Sequence, residues 1–163
     1  VKMDANTDTT DASGYSAHVV ISLGYMQLDW FNQMLTRTKN ISEVSPQDYD
    51  AIFLVGGQGP MYTFKGNAEL EALFAHFFES GKPSASVCHA TALLLEAKKS
   101  DGELIVDGKT WTGFANAEEE YADKAVGQKI HPYAITDGYL ITGQQQNSGA
   151  AAAGMVVELL SKN

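Results

Sequence analysis

Cysteine is almost absent from this sequence, which has a single one, Cys88, among its 163 residues. One thiol can form neither an internal disulfide nor a zinc site built from several thiolates. Histidine is nearly as sparse: the four are scattered, and none stands in a His-x-x-x-His or Glu-x-x-His pair. Although distant ligands can converge in space, this spacing disfavours a metal-dependent enzyme, and we expect neither a metal nor a cofactor.

Positive charge is also scarce, with 11 Lys and Arg against 20 Asp and Glu and a formal net charge of −9. Such an excess of negative charge repels polyanions, which excludes nucleic acid as a default partner. No apolar run approaches the roughly 18 residues that span a bilayer, so no membrane association is expected. The first residues lack a basic and apolar secretion signal, and together with the lone cysteine this predicts a cytoplasmic protein.

The length and the order of the elements predict one α/β domain over residues 1–163. Tyr49–Val55 is a short apolar run that ends at two glycines, a pattern typical of a strand buried on both faces of a parallel sheet. Asn67–Glu79 has an apolar stripe at helical spacing, and Ser84–Val87 is a strand of small residues before a helix over Ala90–Lys99. This alternation predicts helices on both faces of a parallel sheet, with the site beyond the carboxyl ends of the strands.

Further segments complete the expected order of elements. They are a loop over residues 1–16, a helix within Met26–Leu35, a hairpin of Leu104–Val106 and Thr110–Thr112, a strand over Tyr139–Thr142 and a closing helix over Ser148–Leu160. The hairpin is predicted because Asp107-Gly108 is a typical two-residue turn between β-rich pieces. Ser148 is expected to cap the closing helix, since its hydroxyl can accept a hydrogen bond from the first turn.

Cys88 stands where the strand Ser84–Val87 meets the next helix. The thiolate is the reactive form of cysteine, and a helix start lowers the thiol pKa because its unpaired N–H groups favour negative charge. His89 follows directly and can act as the base if a sharp nucleophile elbow brings its imidazole beside the sulfur. Equally, a lone cysteine can be a small buried apolar residue, and an adjacent histidine can simply pack at the helix start.

Two neighbouring motifs favour the catalytic interpretation. Residues 56–60, Gly-Gly-Gln-Gly-Pro, follow the first strand, and the N–H of Gly57 could bind a developing oxyanion together with the N–H of His89. This turn lacks the Gly-Lys-Ser/Thr ending of a phosphate-binding loop. Glu118–Glu120 could supply a carboxylate that orients the imidazole as the third member of a triad, although such a run is more often a solvated face.

Four segments carry motifs that are individually weak but specific in combination: Asp50–Met61, Ser86–Ala90, Thr112–Glu119 and Leu140–Gln144. In this order they resemble the ThiJ/PfpI family of the class I glutamine amidotransferase-like superfamily. Within that family the sequence is most similar to the heat-shock-protein-31-like branch, which contains chaperones and glutathione-independent glyoxalases of the glyoxalase III type. The resemblance extends from about Tyr49 to the carboxyl end.

The resemblance implies a flavodoxin-like α/β sandwich of three layers, with a mostly parallel sheet, a nucleophile elbow and usually a homodimer. It implies Cys88 as the nucleophile and His89 as its partner. Glu119, five residues after Phe114, is implied as the triad acid. The amides of Gly57 and His89 would form the oxyanion hole. The implied substrate is methylglyoxal or a related 2-oxoaldehyde, which the thiolate attacks to give a hemithioacetal and finally a 2-hydroxy acid.

The sequence departs from that branch in two places. Members of the branch begin with a strand and a helix that supplies a buried glutamate near the nucleophile, and no segment here matches them. Near residues 130–132 the chain also passes to its final strand sooner than relatives do, as if a helix and a strand were skipped. We therefore expect the first strand–helix unit and one segment near residues 130–132 to be missing from the sequence.

Other functions remain open at this point. The same thiolate could hydrolyse or hydrate a substrate, as in the peptidase and isonitrile hydratase relatives. A chaperone or a redox-stress protein would instead use the cysteine as an oxidisable or inert residue. Glutaminase activity is disfavoured because relatives of that kind place the histidine far downstream of the cysteine.

Overall fold

The structure is a computed structural model that describes residues 24–122 and 131–162. The chain divides into two compact units, Val1–Val44 and Ser45–Asn163. The described part of the first unit contains helix α1, Asp29–Thr36, where a helix was predicted, and a short 3-10 turn at Ile41–Glu43. The predicted loop over residues 1–16 lies outside the described residues, and the expected absence of the family's first strand–helix unit stays a prediction. The single-domain interpretation stays a prediction.

The second unit is built on a four-stranded sheet. Its strands are β1 (Ile52–Leu54), β2 (Ser84–Val87), β3 (Ala134–Asp137) and β4 (Leu140–Gly143). The spatial order is β1-β2-β4-β3, in which β1 and β4 run parallel to the central β2 and β3 pairs antiparallel with β4. The mostly parallel sheet is therefore confirmed. Strand β3 was not predicted: it is only 4 residues long and leads directly into the tight turn at Gly138, where φ is 65°.

Helices connect these strands. They are α2 (Pro60–Thr63), α3 (Ala68–Glu79), α4 (Asn116–Ala122) and α5 (Gly149–Leu160), together with 3-10 helices at Pro46–Asp48, Cys88–Leu95 and Gln146–Ser148. Helix α3 begins where predicted because the Asn67 side chain accepts a hydrogen bond from Leu70 N at 3.1 Å. It ends before Gly81, whose φ of 69° suits glycine.

The sheet is covered on both faces. Ala85, Val87 and Ile141 form one buried cluster with side chains of α5. Helix α3 packs against β2, and its buried Phe74 and Phe77 stand outside that cluster, which places them on the opposite face. Fully burying side chains of this size contributes roughly 1.5–3 kcal/mol each. Helix, sheet and helix thus form the flavodoxin-like sandwich of three layers that the resemblance implied.

Two of the predicted elements are wrong. The segment predicted as a helix over Ala90–Lys99 is a 3-10 helix that begins at Cys88 and ends at Leu95. The predicted hairpin of Leu104–Val106 and Thr110–Thr112 does not form, because other groups take its hydrogen bonds. Leu104 forms an isolated bridge with Lys98, and Thr110 N and Thr112 N donate to Asp137 and to the Thr142 hydroxyl.

Ser148 precedes the closing helix as predicted, but it does not act as the expected cap. Helix α5 begins at Gly149, and the Ser148 side chain makes no capping hydrogen bond. Its hydroxyl oxygen instead accepts from Tyr133 N at 3.1 Å and from Gln145 N at 3.3 Å. Ser148 therefore joins the start of the helix to the loops on either side of β3 and β4.

Candidate active site

Cys88 occupies a strained turn directly after β2. Its φ is 62°, and it is the one non-glycine residue in the described part of the chain with a positive φ. Such a conformation costs of order 1–3 kcal/mol and persists only where surrounding structure holds it. The Thr91 hydroxyl donates to Cys88 O at 2.7 Å, and the turn packs so closely on Gly56 that a Cβ there would lie 2.6 Å from Cys88 Cβ. The predicted nucleophile elbow is present.

The imidazole of His89 joins the thiol to a carboxylate. Its Nδ1 lies 3.3 Å from Cys88 Sγ, and its Nε2 lies 2.6 Å from Glu119 Oε1. The ring of Phe114 stacks on the imidazole with centroids 4.3 Å apart and planes inclined by 26°. Of the three consecutive glutamates, Glu119 is therefore the one that contacts the histidine and holds its orientation. This is the arrangement of a nucleophile, a base and an orienting acid.

The pKa of the Cys88 thiol is raised, contrary to the sequence-based expectation. Burial is the largest cause, since Cys88 is only 6% exposed and a thiolate there loses water. The backbone N–H groups of His89 and Gly57, which the resemblance assigned to an oxyanion hole, donate toward the sulfur and lower the pKa. The charges of Glu118 and Glu119 raise it further. Burial outweighs the helix start, so forming the thiolate depends on proton transfer to His89.

Glu118 is a buried carboxylate that the sequence analysis did not single out. Its Oε2 accepts a hydrogen bond from Ala115 N at 2.9 Å and so caps the start of α4. Its Oε1 has no hydrogen-bond partner within residues 24–122 and 131–162. Because the residue before the helix is alanine rather than Ser or Thr, the sequence lacks the capping-box signature that would have identified Glu118. Its carboxylate adds a second negative charge near the thiol.

A groove of about 250 Å³ lies beside the imidazole. Its walls are mostly apolar and include Met61, Ala92, Leu95, Trp111, Phe114 and His89. Cys88 itself does not line the groove. The imidazole of His89, which contacts the Cys88 sulfur, forms part of its wall. A small molecule bound here would meet the histidine of the triad.

In the part of the chain that the structure describes, no group of three or more His, Cys, Asp or Glu side chains has an arrangement that could hold a metal ion. Within the same residues, no helix is both long enough and apolar enough to cross a bilayer.

Comparison with known proteins identifies the family. A match to the DJ-1/PfpI family covers residues 10–159. The chain belongs to the DJ-1/PfpI family. This confirms the resemblance to the ThiJ/PfpI family that the motifs indicated, and the nucleophile elbow and the sandwich are both features of that family. The site residues Cys88, His89, Glu119 and Gly57 come together within this family fold, and their catalytic roles stay predictions.

Named relatives in the family point to the branch predicted from the motifs. The chain is 28% identical over 156 residues to the glutathione-independent glyoxalase HSP31 of Saccharomyces cerevisiae, covering 80% of this chain and 65% of that protein. It is 26% identical over 159 residues to Glyoxalase 3 of Candida albicans, covering 82% of this chain and 67% of that protein. The chain thus spans slightly less than two thirds of the length of the first of these relatives.

A solved structure supports the fold. The Rapid Encystment Protein 24 kDa of Francisella tularensis aligns with a TM-score of 0.74, covering 84% of this chain and 69% of that chain. The two sequences are 23% identical over the match, so this likeness concerns the fold alone.

Proposed function

We propose that this protein is a cysteine-dependent, glutathione-independent glyoxalase that converts methylglyoxal or a related 2-oxoaldehyde into a 2-hydroxy acid. The observation that carries the proposal is the contact series from Cys88 Sγ to His89 Nδ1 at 3.3 Å and from His89 Nε2 to Glu119 Oε1 at 2.6 Å. Membership of the DJ-1/PfpI family and the names of the similar glyoxalases add support.

The first step joins the thiol to the aldehyde. His89 accepts the proton of Cys88, and the sulfur forms a bond to the aldehyde carbon while that carbonyl oxygen takes the electron pair. The imidazolium, held by Glu119, returns the proton to this oxygen and leaves a neutral hemithioacetal. The amides of Gly57 and His89, which donate toward the sulfur, are the groups close enough to stabilise the developing oxyanion.

The second step moves hydrogen between the two substrate carbons. A base removes the proton from the carbon bonded to sulfur while the ketone oxygen takes up a proton, which gives an enediol. The former ketone carbon then receives a proton and the hydroxyl on the sulfur-bearing carbon loses its proton, which yields a thioester of the 2-hydroxy acid. Water then attacks the thioester carbon, the carbon–sulfur bond breaks, and the thiol regains its proton. His89 is the proton carrier in each transfer because its imidazole contacts the sulfur and its ring nitrogens can both accept and donate a proton. The sum is one oxoaldehyde and one water converted to one hydroxy acid.

The proposal is tested with methylglyoxal in the absence of glutathione, with lactate as the measured product. We expect lactate from the wild type and none above background from Cys88→Ala or His89→Gln. His76→Gln is a matched control, since His76 is an exposed histidine of α3 outside the site. Lactate formation that survives Cys88→Ala would refute the mechanism. No lactate, with suppression of client aggregation unchanged in Cys88→Ala, would favour a chaperone instead.

Assembly and location are further parts of the proposal. Following the resemblance, we propose a homodimer acting on a small carbonyl substrate in the cytoplasm, without nucleic acid or membrane as partner. The net charge of −9 supports the exclusion of nucleic acid. Sedimentation equilibrium tests the dimer, and a monomer at all concentrations would contradict it. Cell fractionation with antibody detection tests the location.

A further inference from the structure

The groove beside His89 is larger and more apolar than the methyl group of methylglyoxal requires. Its walls carry Met61, Leu95, Trp111 and Phe114, and among residues 24–122 and 131–162 no Asp, Glu, Lys or Arg side chain lines it. The hydroxyl of Thr91 in the wall already donates to Cys88 O at 2.7 Å. The groove therefore offers apolar contact, with the imidazole as its polar edge.

The groove also shares a residue with the nucleophile's surroundings. In the hemithioacetal, the substrate carbon is bonded directly to Cys88 Sγ, and this sulfur lies 3.3 Å from His89 Nδ1. The same imidazole lines the groove. A substituent on the second substrate carbon would therefore start close to the histidine that forms one wall of the groove.

We propose that this groove binds the substituent of the substrate, and that the preferred substrates are 2-oxoaldehydes with an aryl or a large alkyl group. An aromatic ring can stack or meet edge to face with Trp111 and Phe114. A carboxylate on the substituent is disfavoured, since no cationic side chain of the described residues lines the groove and the charges of Glu118 and Glu119 lie near the thiol.

Burial of carbon atoms sets the size of the preference. Each methylene removed from water favours binding by roughly fourfold. If the half-open groove shields two or three ring carbons, phenylglyoxal should exceed methylglyoxal in kcat/KM by about fifteenfold to sixtyfold. Glyoxal, which has no substituent, should fall below methylglyoxal.

The turnover part of this inference rests on the proposed glyoxalase function, so the decisive experiment measures the groove without turnover. Cys88 is alkylated with iodoacetamide and with its N-phenyl analogue, and each rate is divided by the rate of the same reagent with free glutathione. We expect a normalised preference of about tenfold for the phenyl reagent. Conversion of phenylglyoxal to 2-hydroxy-2-phenylacetate is followed in parallel.

Leu95→Asn places an amide in the groove wall at a side chain that is 52% exposed. The phenyl preference should fall severalfold in this variant. Val157→Asn is the matched control, because Val157 is an exposed apolar residue of α5 outside the groove, and its preference should equal that of the wild type.

The outcomes separate the two proposals. Equal normalised rates for both reagents in the wild type overturn the groove assignment, whether or not lactate is formed. A preference that Leu95→Asn and Val157→Asn reduce equally also overturns it. A phenyl preference that only Leu95→Asn reduces supports the groove, and if no oxoaldehyde is then converted, the groove stands while the glyoxalase function fails.

Discussion

Glu118 and Glu119 are adjacent in sequence, yet we predict that neutralising them changes the reactivity of Cys88 in opposite directions. Glu119 Oε1 contacts His89 Nε2 at 2.6 Å, so its charge stabilises the imidazolium that forms when His89 accepts the thiol proton. Glu118 is buried, caps α4 and raises the pKa of the Cys88 thiol. Glu119→Gln should therefore slow alkylation of Cys88, and Glu118→Gln should accelerate it.

The contact between Glu119 and His89 sets the magnitude for Glu119→Gln. A hydrogen bond to a charged group contributes about 1.5–3 kcal/mol. The Glu119 side chain is 47% exposed, so solvent screening places the effect at about the lower limit, which corresponds to roughly a tenfold loss of rate at neutral pH. The direct effect of the Glu119 charge on the thiol opposes this loss, but it is the smallest cause of the raised Cys88 pKa.

Glu118→Gln changes charge but preserves shape. The glutamine carbonyl can still accept from Ala115 N, so the start of α4 should remain intact. With the negative charge removed, the pKa of the Cys88 thiol falls toward its usual range. At a pH below that pKa, the thiolate fraction rises by the factor by which the acid dissociation constant increases, and alkylation accelerates in proportion.

The assay is the rate of Cys88 alkylation by iodoacetamide from mildly acidic to alkaline pH. For Glu118→Gln the inflection should move to lower pH, whereas Glu119→Gln should lower the rate at neutral pH. Glu120→Gln is the control, because Glu120 is the exposed member of the run. The electrostatic explanation is wrong if Glu118→Gln and Glu119→Gln change the alkylation rate in the same direction. It is also wrong if Glu118→Gln moves the inflection of the pH–rate curve to higher pH.

Three further predictions concern stability. Gly56→Ala should lower the free energy of unfolding by about 1–3 kcal/mol and slow alkylation, because its Cβ would lie 2.6 Å from Cys88 Cβ. Asn67→Ala should cost about 1 kcal/mol in urea unfolding, since it removes the cap of α3. Hydrogen bonds from Thr110 N and Lys109 lower the pKa of Asp137. The free energy of unfolding that Asp137 contributes is therefore present above the pKa of the unfolded state and is lost as the pH falls through the lower pKa of the folded state. Asp137→Asn should reduce this loss of stability at acidic pH.

Matched controls make these stability predictions specific. Gly154→Ala, with no atom within 4 Å of the new Cβ, should stabilise α5, and a loss there equal to that of Gly56→Ala would contradict the steric argument. Asn67→Asp should retain the cap, so an equal loss from Asp and Ala would exclude capping as the cause. Asp107→Asn should leave the loss of unfolding free energy at acidic pH unchanged, because Asp107 is exposed on a turn.

Much of the local structure could be predicted because it depends on residues close together in sequence. The strand Ser84–Val87 was predicted with its observed bounds, and helix α3 differs from its prediction only at the capping residue Asn67. The elbow at Cys88 and the contact of His89 with Glu119 followed from motifs that the family shares. Apolar spacing, capping residues and glycine turns act within a few residues, so a single sequence displays them.

Some misses involve partners distant in sequence. The Leu104–Thr112 hairpin failed because Thr112 N donates to Thr142, 30 residues away. Strand β3 was missed although its partner β4 follows directly in the same hairpin. The local signal at the helix start predicted a lowered pKa for Cys88, but burial and the charge of Glu118 raise it. By itself the sequence predicted that Cys88, His89 and Glu119 come together, and it predicted most of the elements that present them. Tertiary structure alone decided their solvation and their neighbours, because desolvation and Coulomb interactions depend on distances in space rather than on spacing along the chain.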